Sequence, residues 1–189
     1  MKKVILLCGL CLFYLGFMTN SCEAQTDGFS LQSRFGVGMT TSVINFGIGP
    51  SVEFWPTENI GILGSFTSLF DYTSYGGRVD YLFSQPIYAG SSPNKVYIGV
   101  GYVIMQGPEQ SGGAYGYTWK VEQEGSGIEA HAGILHQANY LTDKLFFRGE
   151  FIYYAFDLET KGSSNFGYET SVDLDWNTFT IGLGVHYLF

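Results

Sequence analysis

Apolar residues recur at every second position along most of this chain, and one of the two faces defined in this way carries no charged residue. A period of two is the pattern of a β-strand with unlike faces. The last twelve residues show it most clearly, with Phe179, Ile181, Leu183, Val185, Tyr187 and Phe189 on one face and threonine, glycine and histidine on the other. No segment shows a convincing helical period, so we predict an all-β fold.

Eight segments carry this pattern. The first runs from Phe29 to about residue 40, with Phe29 and Leu31 on the same face as Phe35, and the last is Thr178–Phe189. The other six lie at roughly 44–55, 60–70, 76–84, 96–105, 127–136 and 145–156.

The connections between these segments alternate in length. Short turns are predicted at Pro56–Asn59, Gly90–Asn94 and Thr142–Lys144, from their proline, glycine, asparagine and aspartate residues. The other connections comprise two long, glycine-rich and acidic loops at 106–126 and 158–175 and shorter links near 41–43 and 71–75. Eight strands with short turns at one end and long loops at the other predict an eight-stranded antiparallel up-and-down β-barrel.

The charged residues within the strands show which face of this barrel meets water. All of them fall on the glycine- and serine-bearing face: Arg34, Glu53, Arg78, Asp80, Glu129, Arg148 and Glu150. Three bases and four acids nearly balance, as a closed interior requires, because an unpaired buried charge costs several kcal/mol. A soluble carrier of the lipocalin kind would place its charges outside, whereas a basic residue facing mid-bilayer lipid costs about 2–4 kcal/mol. A transmembrane barrel with a charge network inside is therefore favoured, and the soluble carrier stays as the alternative.

The overall composition agrees with a membrane protein that is not helical. Charged residues make up 14% of the chain and aromatic residues 17%, whereas soluble domains average roughly 25% charged residues. The formal net charge is -8, which excludes nucleic acid as a partner because a polyanion is held by basic patches.

The amino-terminal residues form the pattern of a secretory signal peptide. Two lysines precede the apolar run Val4–Met18, and small residues allow a cut before Gln25. We therefore predict a signal peptide over 1–24 and a single barrel domain over 25–189. The alternatives are a membrane anchor, for which the run is short, and lipidation of Cys22. Cleavage before Gln25 would remove all three cysteines, so thiolate zinc sites are not expected.

The carboxyl-terminal strand also carries a resemblance. This strand resembles that of the small eight-stranded outer-membrane proteins of Gram-negative bacteria, of the OmpX and OmpA-barrel type. The segment Gly49–Pro56 is similar to the second strand and first periplasmic turn of the same proteins. This resemblance implies residence in the outer-membrane bilayer as a monomer. It also implies that the barrel-assembly machinery reads the six alternating residues Phe179, Ile181, Leu183, Val185, Tyr187 and Phe189 as an assembly signal.

The candidate catalytic and metal-binding groups are weak. His136–Asn139 is similar to the His-x-Ser-Asn motif of lipid A deacylases but lacks the serine, and a hydrolase of that kind needs its nucleophile. His131 and His186 fall on the inner face, where a structural role is expected. The acidic loop residues match no calcium-loop spacing; they are Glu122, Glu124, Glu159, Glu169, Asp173 and Asp175. We therefore predict no catalytic residue, no cofactor and no metal.

The function predicted from the sequence is structural, or an interaction at the cell surface through the loops 106–126 and 158–175, with a partner that the sequence does not name. A small pore and a lipid-modifying enzyme are kept as alternatives. An eight-stranded barrel has room inside for its own side chains, which argues against the pore.

Overall fold

The computed structural model describes residues 29–42, 47–69, 71–89 and 92–189, and they form nine β-strands. The strands are β1 (Arg34–Ser42), β2 (Gly47–Trp55), β3 (Ile60–Leu69), β4 (Tyr72–Ala89), β5 (Ser92–Gln106), β6 (Gln110–Ala114), β7 (Tyr117–Gln137), β8 (Leu145–Ser164) and β9 (Glu169–Leu188). A membrane-spanning helix, long and apolar enough to cross, is not found among these residues.

Eight of the strands close into a ring. Neighbours in sequence pair antiparallel from β1 to β5, β5 pairs with β7, and β9 returns to pair with β1. Closure gives every ring strand a paired neighbour on both sides within the barrel, as a lipid environment demands. The short strand β6 lies outside the ring and pairs with β7. The predicted eight-stranded up-and-down barrel is confirmed, with β6 as an addition that the sequence did not reveal.

The wall of the barrel has the two faces that the alternation predicts. On β2, Val52 is 49% exposed and points outward, while its neighbour Glu53 is 2% exposed and points inward. On β9, Ile181 faces outward and Gly182 is buried. A soluble carrier needs the opposite arrangement, so that alternative is wrong for this chain.

The first strand begins later than predicted. Ser33 has a φ of 61°, a left-handed turn that few non-glycine residues adopt, and β1 starts only after it. Phe29 and Leu31, which the alternation assigned to the outer face, are buried inside the short-turn end of the barrel. Phe29 packs edge-on against Phe146, with the ring centroids 5.1 Å apart. The turn at Ser33 therefore breaks the alternation and places residues 29–31 inside the barrel.

The two long loops are the other correction, because most of their residues are in β-strands. Strands β7, β8 and β9 continue well past the ring, and β6 joins their edge. Together residues 109–124 and 157–177 form a sheet that stands beyond one end of the barrel, and we call it the arm. The hydrogen-bonded ladder of β7, β8 and β9 continues from the ring into the arm without a change of register.

The shorter connections follow the prediction more closely. Pro56–Asn59 and the region of Thr142–Lys144 are turns, at the end of the barrel opposite to the arm. The predicted turn Gly90–Asn94 is shorter than expected, since Ser92–Asn94 already belongs to β5. The strand predicted at 76–84 is longer in both directions, as β4 shows. The predicted signal peptide, Cys22 and the cleavage position lie outside the described residues.

Candidate functional site: a filled barrel and a two-faced arm

The lumen of the barrel contains a layer of charges between two apolar clusters. The lower cluster, at the short-turn end, consists of Phe29, Leu31, Trp55, Leu82, Tyr97, Leu135, Phe146 and Leu188. The upper cluster, toward the arm, consists of Val103, Met105, Ile152, Tyr154 and Phe156. Charged side chains between them are excluded from bulk water at both ends, so each needs a partner of opposite charge.

Two arginines hold this layer together. Arg148 donates from Nη2 to Glu53 Oε2 at 2.5 Å and from Nη1 to Asp80 Oδ2 at 2.6 Å. Arg78 Nη1 donates to Glu150 Oε1 and its Nη2 lies against Glu150 Oε2, each at 2.8 Å. The Arg78 Nε lies 3.6 Å from Asp80 Oδ1, so Asp80 connects the two arginines. Charge-assisted contacts of this kind are the strong form of hydrogen bond.

Of the seven charged residues predicted to line the interior, the structure brings six into this layer. Glu129 is buried there, with its Oε1 3.8 Å from His131 Nδ1. Arg34 is half-buried near the short-turn end and forms no ion pair with the described acidic residues. A third buried base is Lys95, whose Nζ donates to the carbonyl oxygen of Phe29 at 3.0 Å and lies over the Phe29 ring. Sequence reasoning missed Lys95 because the predicted strand began one residue after it.

Tyrosine and histidine side chains complete the layer. The Tyr97 hydroxyl donates to Glu150 Oε2 at 2.6 Å, and its ring lies 5.0 Å from the Arg148 guanidinium carbon. His131 Nε2 lies 2.7 Å from Asp80 Oδ1. The sequence analysis considered only charged residues for the interior, but the position of Tyr97 between Val96 and Ile98 in the alternation also places it inside.

Glycines on the inner face leave the space that these large side chains occupy. A Cβ added to Gly99 would lie 2.6 Å from Asp80 Oδ1 and from the Val79 carbonyl oxygen. A Cβ on Gly182 would lie 2.7 Å from Glu150 Oε1. Glycine at these positions lets the charged layer fit between the strands.

Ser51, His186 and Glu53 form an arrangement that resembles a serine–histidine–carboxylate triad. Ser51 Oγ lies 2.7 Å from His186 Nε2, and His186 Nδ1 lies 4.0 Å from Glu53 Oε1. All three side chains are buried, and Glu53 already binds Arg148. A nucleophile acts only on a substrate that reaches it, and here the lower apolar cluster and the charged layer surround the serine. Ser51 and His186 therefore form a buried structural hydrogen bond, and Glu53 at 4.0 Å from His186 Nδ1 does not extend it.

A small cavity lies between the charged layer and the upper cluster. Its volume is about 40 Å³, and it is lined by Thr40, Thr67, Ser74, Arg78, Glu129 and Glu150 among others. A buried water needs roughly 10–15 Å³ by this measure, so the cavity accommodates about three water molecules.

The arm has two unlike faces. On the side continuous with the outer face of the barrel, charged residues recur at every second position; they are Lys120, Glu122, Glu124, Asp157, Glu159, Lys161, Glu169, Asp173 and Asp175. On the other side, which is continuous with the barrel interior, lie Trp119, Val121, Leu158, Val172, Leu174 and Trp176. Val172 and Leu174 are each 54% exposed, so the described residues leave this apolar face largely uncovered.

The arm is acidic, because eight acidic residues accompany two lysines in 109–124 and 157–177. Both lysines are already paired: Lys120 contacts Glu109 and Glu122, and Lys161 contacts Glu159. Hydrogen bonds to Glu122 and Glu109 raise the pKa of Lys120, and hydrogen bonds from Lys161 and Ser171 lower the pKa of Glu159.

The far end of the arm is an aromatic tip without charges, formed by 115–119 and 164–168. Asn165 joins its two hairpins: the side-chain amide donates to the Gly116 carbonyl at 2.7 Å, and its oxygen accepts from the Thr118 N–H at 3.1 Å. Tyr117 and Phe166 stack with their ring centroids 5.8 Å apart. The tip thus presents exposed aromatic rings on a cross-linked pair of turns.

The carboxyl-terminal strand presents its alternating apolar side chains to the outside. Phe179, Ile181, Leu183, Tyr187 and Phe189 are all exposed, and Val185 on the same face is half-buried. This face is continuous with the outer apolar surfaces of β1 and β8. A continuous apolar surface around a closed ring, with charges sealed inside, defines an integral membrane β-barrel of the outer-membrane type.

Solved structures with this fold support that class. The N-terminal β-barrel domain of Pseudomonas aeruginosa OprF has a TM-score of 0.50 and 15% identity, covering 84% of this chain and 98% of that one. A major outer membrane protein from Thermus thermophilus has a TM-score of 0.51 and 13% identity, covering 82% of this chain and 99% of that one. No protein-family model matches the sequence, and no curated protein matches it. At these identities the likeness establishes the fold, and the narrower resemblance to the OmpX type stays a prediction.

Proposed function

We propose that this protein is a monomeric, non-catalytic component of the outer membrane of a Gram-negative bacterium, and that its arm binds a partner outside the cell. The observation that carries the proposal is the arm itself, an extended sheet with exposed apolar and aromatic residues on a barrel whose lumen is filled. Exposed apolar groups that are rigidly held are typical of interaction sites. The barrel then serves to anchor and orient the arm.

The same geometry argues against the two alternative functions. Two apolar clusters and a charged layer fill the lumen formed by the described residues, which argues against a continuous path for ions. The histidines of the lumen are hydrogen-bonded within sealed surroundings, so a lipid substrate has no approach to them. The corresponding measurements are conductance in a planar bilayer and the mass spectrum of lipid A with and without the protein. Steady conductance would favour the pore, and a changed lipid A mass would favour the enzyme.

The location and orientation are tested on intact cells. The protein should fractionate with outer membranes and migrate differently on gels with and without boiling, because a closed β-ladder resists detergent. Protease added to whole cells should cut within 109–124 or 157–177 and spare Pro56–Asn59. Cleavage at the short turns instead would show that the arm points into the periplasm.

The role of the arm is tested by shortening it. Replacing 159–173 by Asn-Gly joins Leu158 to Leu174, which already face each other across the β8–β9 ladder, through a favourable two-residue turn. The ring should still form, as judged by the gel shift on boiling. Crosslinks from whole cells to a partner should disappear. Crosslinks that persist with the shortened arm would contradict the proposal.

The assembly of the barrel is proposed to depend on the outward residues of β9. Phe189→Ala with Tyr187→Ala should slow insertion by the barrel-assembly machinery. Thr178→Ala, a change in the same strand outside this alternating set, serves as the control. Equal assembly rates for all variants in membrane-insertion assays would rule out the predicted signal.

A further inference from the structure

One long edge of the arm pairs with no strand in the part of the chain that the structure describes. Strand β9 pairs with β8 along its whole length, but its other edge pairs with β1 only between Gly182 and Leu188. Within the described residues no strand lies beside the outer edge of 169–177. The backbone N–H and C=O groups along this edge are therefore available to an added strand.

The two faces of this edge strand differ in the same way as the rest of the arm. Glu169, Asp173 and Asp175 project on the outer face, and Val172 and Leu174 project on the inner face. A strand added at this edge places its own side chains directly beside these two rows. Its apolar positions would extend the uncovered inner face and its alternate positions would meet the acids.

Cross-strand pairing adds a requirement for positive charge at this edge. Glu124 pairs with Glu159, and Glu159 pairs with Asp173, so three carboxylates stand in one row across the sheet. Asp157 likewise faces Asp175. Like charges directly opposite each other destabilise a sheet. Both rows end at the free edge, where basic side chains would offset them.

The same charges disfavour a second copy of this chain. Two β9 edges paired antiparallel would bring the acidic rows of both copies together, with no lysine on the strand to compensate. Charged residues on an edge strand oppose such self-association. The occupant that fits is therefore a segment of a different protein.

We propose that the free edge of β9 at 169–177 binds an extended segment of a partner protein by strand addition, and that this segment alternates basic with apolar residues. The inference rests on the proposed role of the arm, because the partner must reach it from outside the cell. Backbone hydrogen bonds give the affinity, and the two side-chain rows give the register.

The test uses the protein refolded in uncharged phosphatidylcholine vesicles and a fluorescent peptide of about nine residues, within the common range of strand lengths, with alternating lysine and valine. Fluorescence anisotropy measures binding, and empty vesicles correct for adsorption to lipid. The alternating peptide should bind at least about ten-fold more tightly than a peptide of the same composition with its lysines clustered. A peptide with glutamate in place of lysine should not bind. Equal binding of the alternating and clustered peptides would overturn the proposal in favour of simple charge attraction.

Two N-methylated peptides separate strand addition from other modes. The N–H groups of a strand point alternately to its two edges, and an added strand uses one edge. Methylation of the odd-numbered or the even-numbered amides should therefore abolish binding in one case and preserve it in the other. Retained binding by both would overturn the proposal.

Variants of the protein locate the site. Asp173→Asn with Asp175→Asn should weaken binding of the alternating peptide about ten-fold, whereas Glu122→Gln, away from the edge, should leave it unchanged. Loss of equal size in both variants would place the peptide elsewhere.

If no peptide binds while crosslinking on cells still depends on the arm, strand addition fails and the proposed function stands. If the peptides bind as expected while arm-dependent crosslinks are absent, the edge is real and the proposed function fails.

Discussion

Strands β7, β8 and β9 run through both the barrel and the arm, yet their faces have opposite polarity in the two regions. On β8 the outer face carries Phe147, Phe151 and Tyr153 in the barrel, then Asp157 and Glu159 in the arm. The inner face carries Arg148 and Glu150 in the barrel and Leu158 in the arm. Side chains alternate between the inner and outer faces without interruption along β8. The reversal of polarity therefore reflects a change in the medium around the strand.

The position of this reversal marks the membrane surface. Ser126 pairs with Asp157, and Asp157 pairs with Asp175, so these polar residues of the outer face stand in one row across the three strands, at the point where charged residues begin on β8 and β9. Just on the barrel side of this row, Tyr153 packs against Phe179 with their ring centroids 4.8 Å apart, and its hydroxyl donates to Asn177. Aromatic residues with a polar end favour the membrane interface. Lipid thus selects apolar residues below this row, and water selects charged residues above it.

The largest expected effect comes from breaking the charged layer. Arg148→Leu leaves Glu53 and Asp80 without their closest positive partner, and removal of one member of a buried ion pair costs about 3–5 kcal/mol. Urea unfolding in vesicles, followed by tryptophan fluorescence, measures the free energy of unfolding. The deficit relative to the wild type should shrink in acidic buffer, because protonation neutralises the stranded carboxylates.

Arg34→Leu is the matched control for that substitution. Arg34 is half-buried on the same face and forms no ion pair with the described acidic residues, so its replacement should change stability by less than about 0.5 kcal/mol. Equal losses for the two arginines would mean that charge on this face acts without specific pairing.

A second substitution compares the outer face of the two regions directly. Ile181 and Ser171 lie on the same face of β9, one in the barrel and one in the arm. Ile181→Arg should destabilise by about 2–4 kcal/mol because the base faces lipid, and Ile181→Leu should be nearly neutral. Ser171→Arg should cost less than about 0.5 kcal/mol because water surrounds it. The same urea unfolding assay measures these free energies. A wild-type stability for Ile181→Arg would mean that the outer face is not in lipid.

Two glycines on opposite faces give a smaller contrast. Gly99→Ala places a methyl group against Asp80 and the Val79 carbonyl, and overpacking of this kind costs about 1–3 kcal/mol. Gly149 lies on the outer face with nothing within 4 Å of an added Cβ, so Gly149→Ala should be neutral or slightly stabilising. Similar unfolding free energies for both variants would argue against the filled interior.

The smallest effect on global stability is expected at the tip of the arm. Asn165→Ala removes the hydrogen bonds to Gly116 and Thr118, which join two hairpins far from the ring. The unfolding free energy should change by less than about 0.5 kcal/mol, while protease cleavage within 115–119 and 164–168 should become faster, because local opening is governed by local contacts. A large loss of global stability would show that the arm and the barrel unfold as one unit.

How far the sequence predicts the structure differs between these regions. The sequence predicts that four charged residues of the layer lie on the inner face of the barrel: Glu53, Arg78, Asp80 and Glu150. Within a strand, a period of two fixes the face of every residue once the face of one charged residue is assigned. Which charge pairs with which does not follow. Glu53 and Asp80 lie 95 and 68 positions before Arg148 in the sequence. Ring closure and strand tilt bring these residues into contact.

The ends of the strands were predicted least well, for a related reason. Glycine and acidic residues in 106–126 and 158–175 favour loops locally, yet the ladder that starts in the ring continues through them, since each paired residue positions the next. Ser33 shows the opposite case, where alternation continues in the sequence but a left-handed turn ends the strand and buries Phe29 and Leu31.

The sequence by itself therefore determined the class of fold and the polarity of the wall, because both depend on the local alternation of side chains and on the cost of charge in lipid. The tertiary structure decided the pairing in the charged layer and the unpaired edge of β9 at 169–177. Each of these depends on which distant strands become neighbours when the ring closes, and a local pattern carries no information about that.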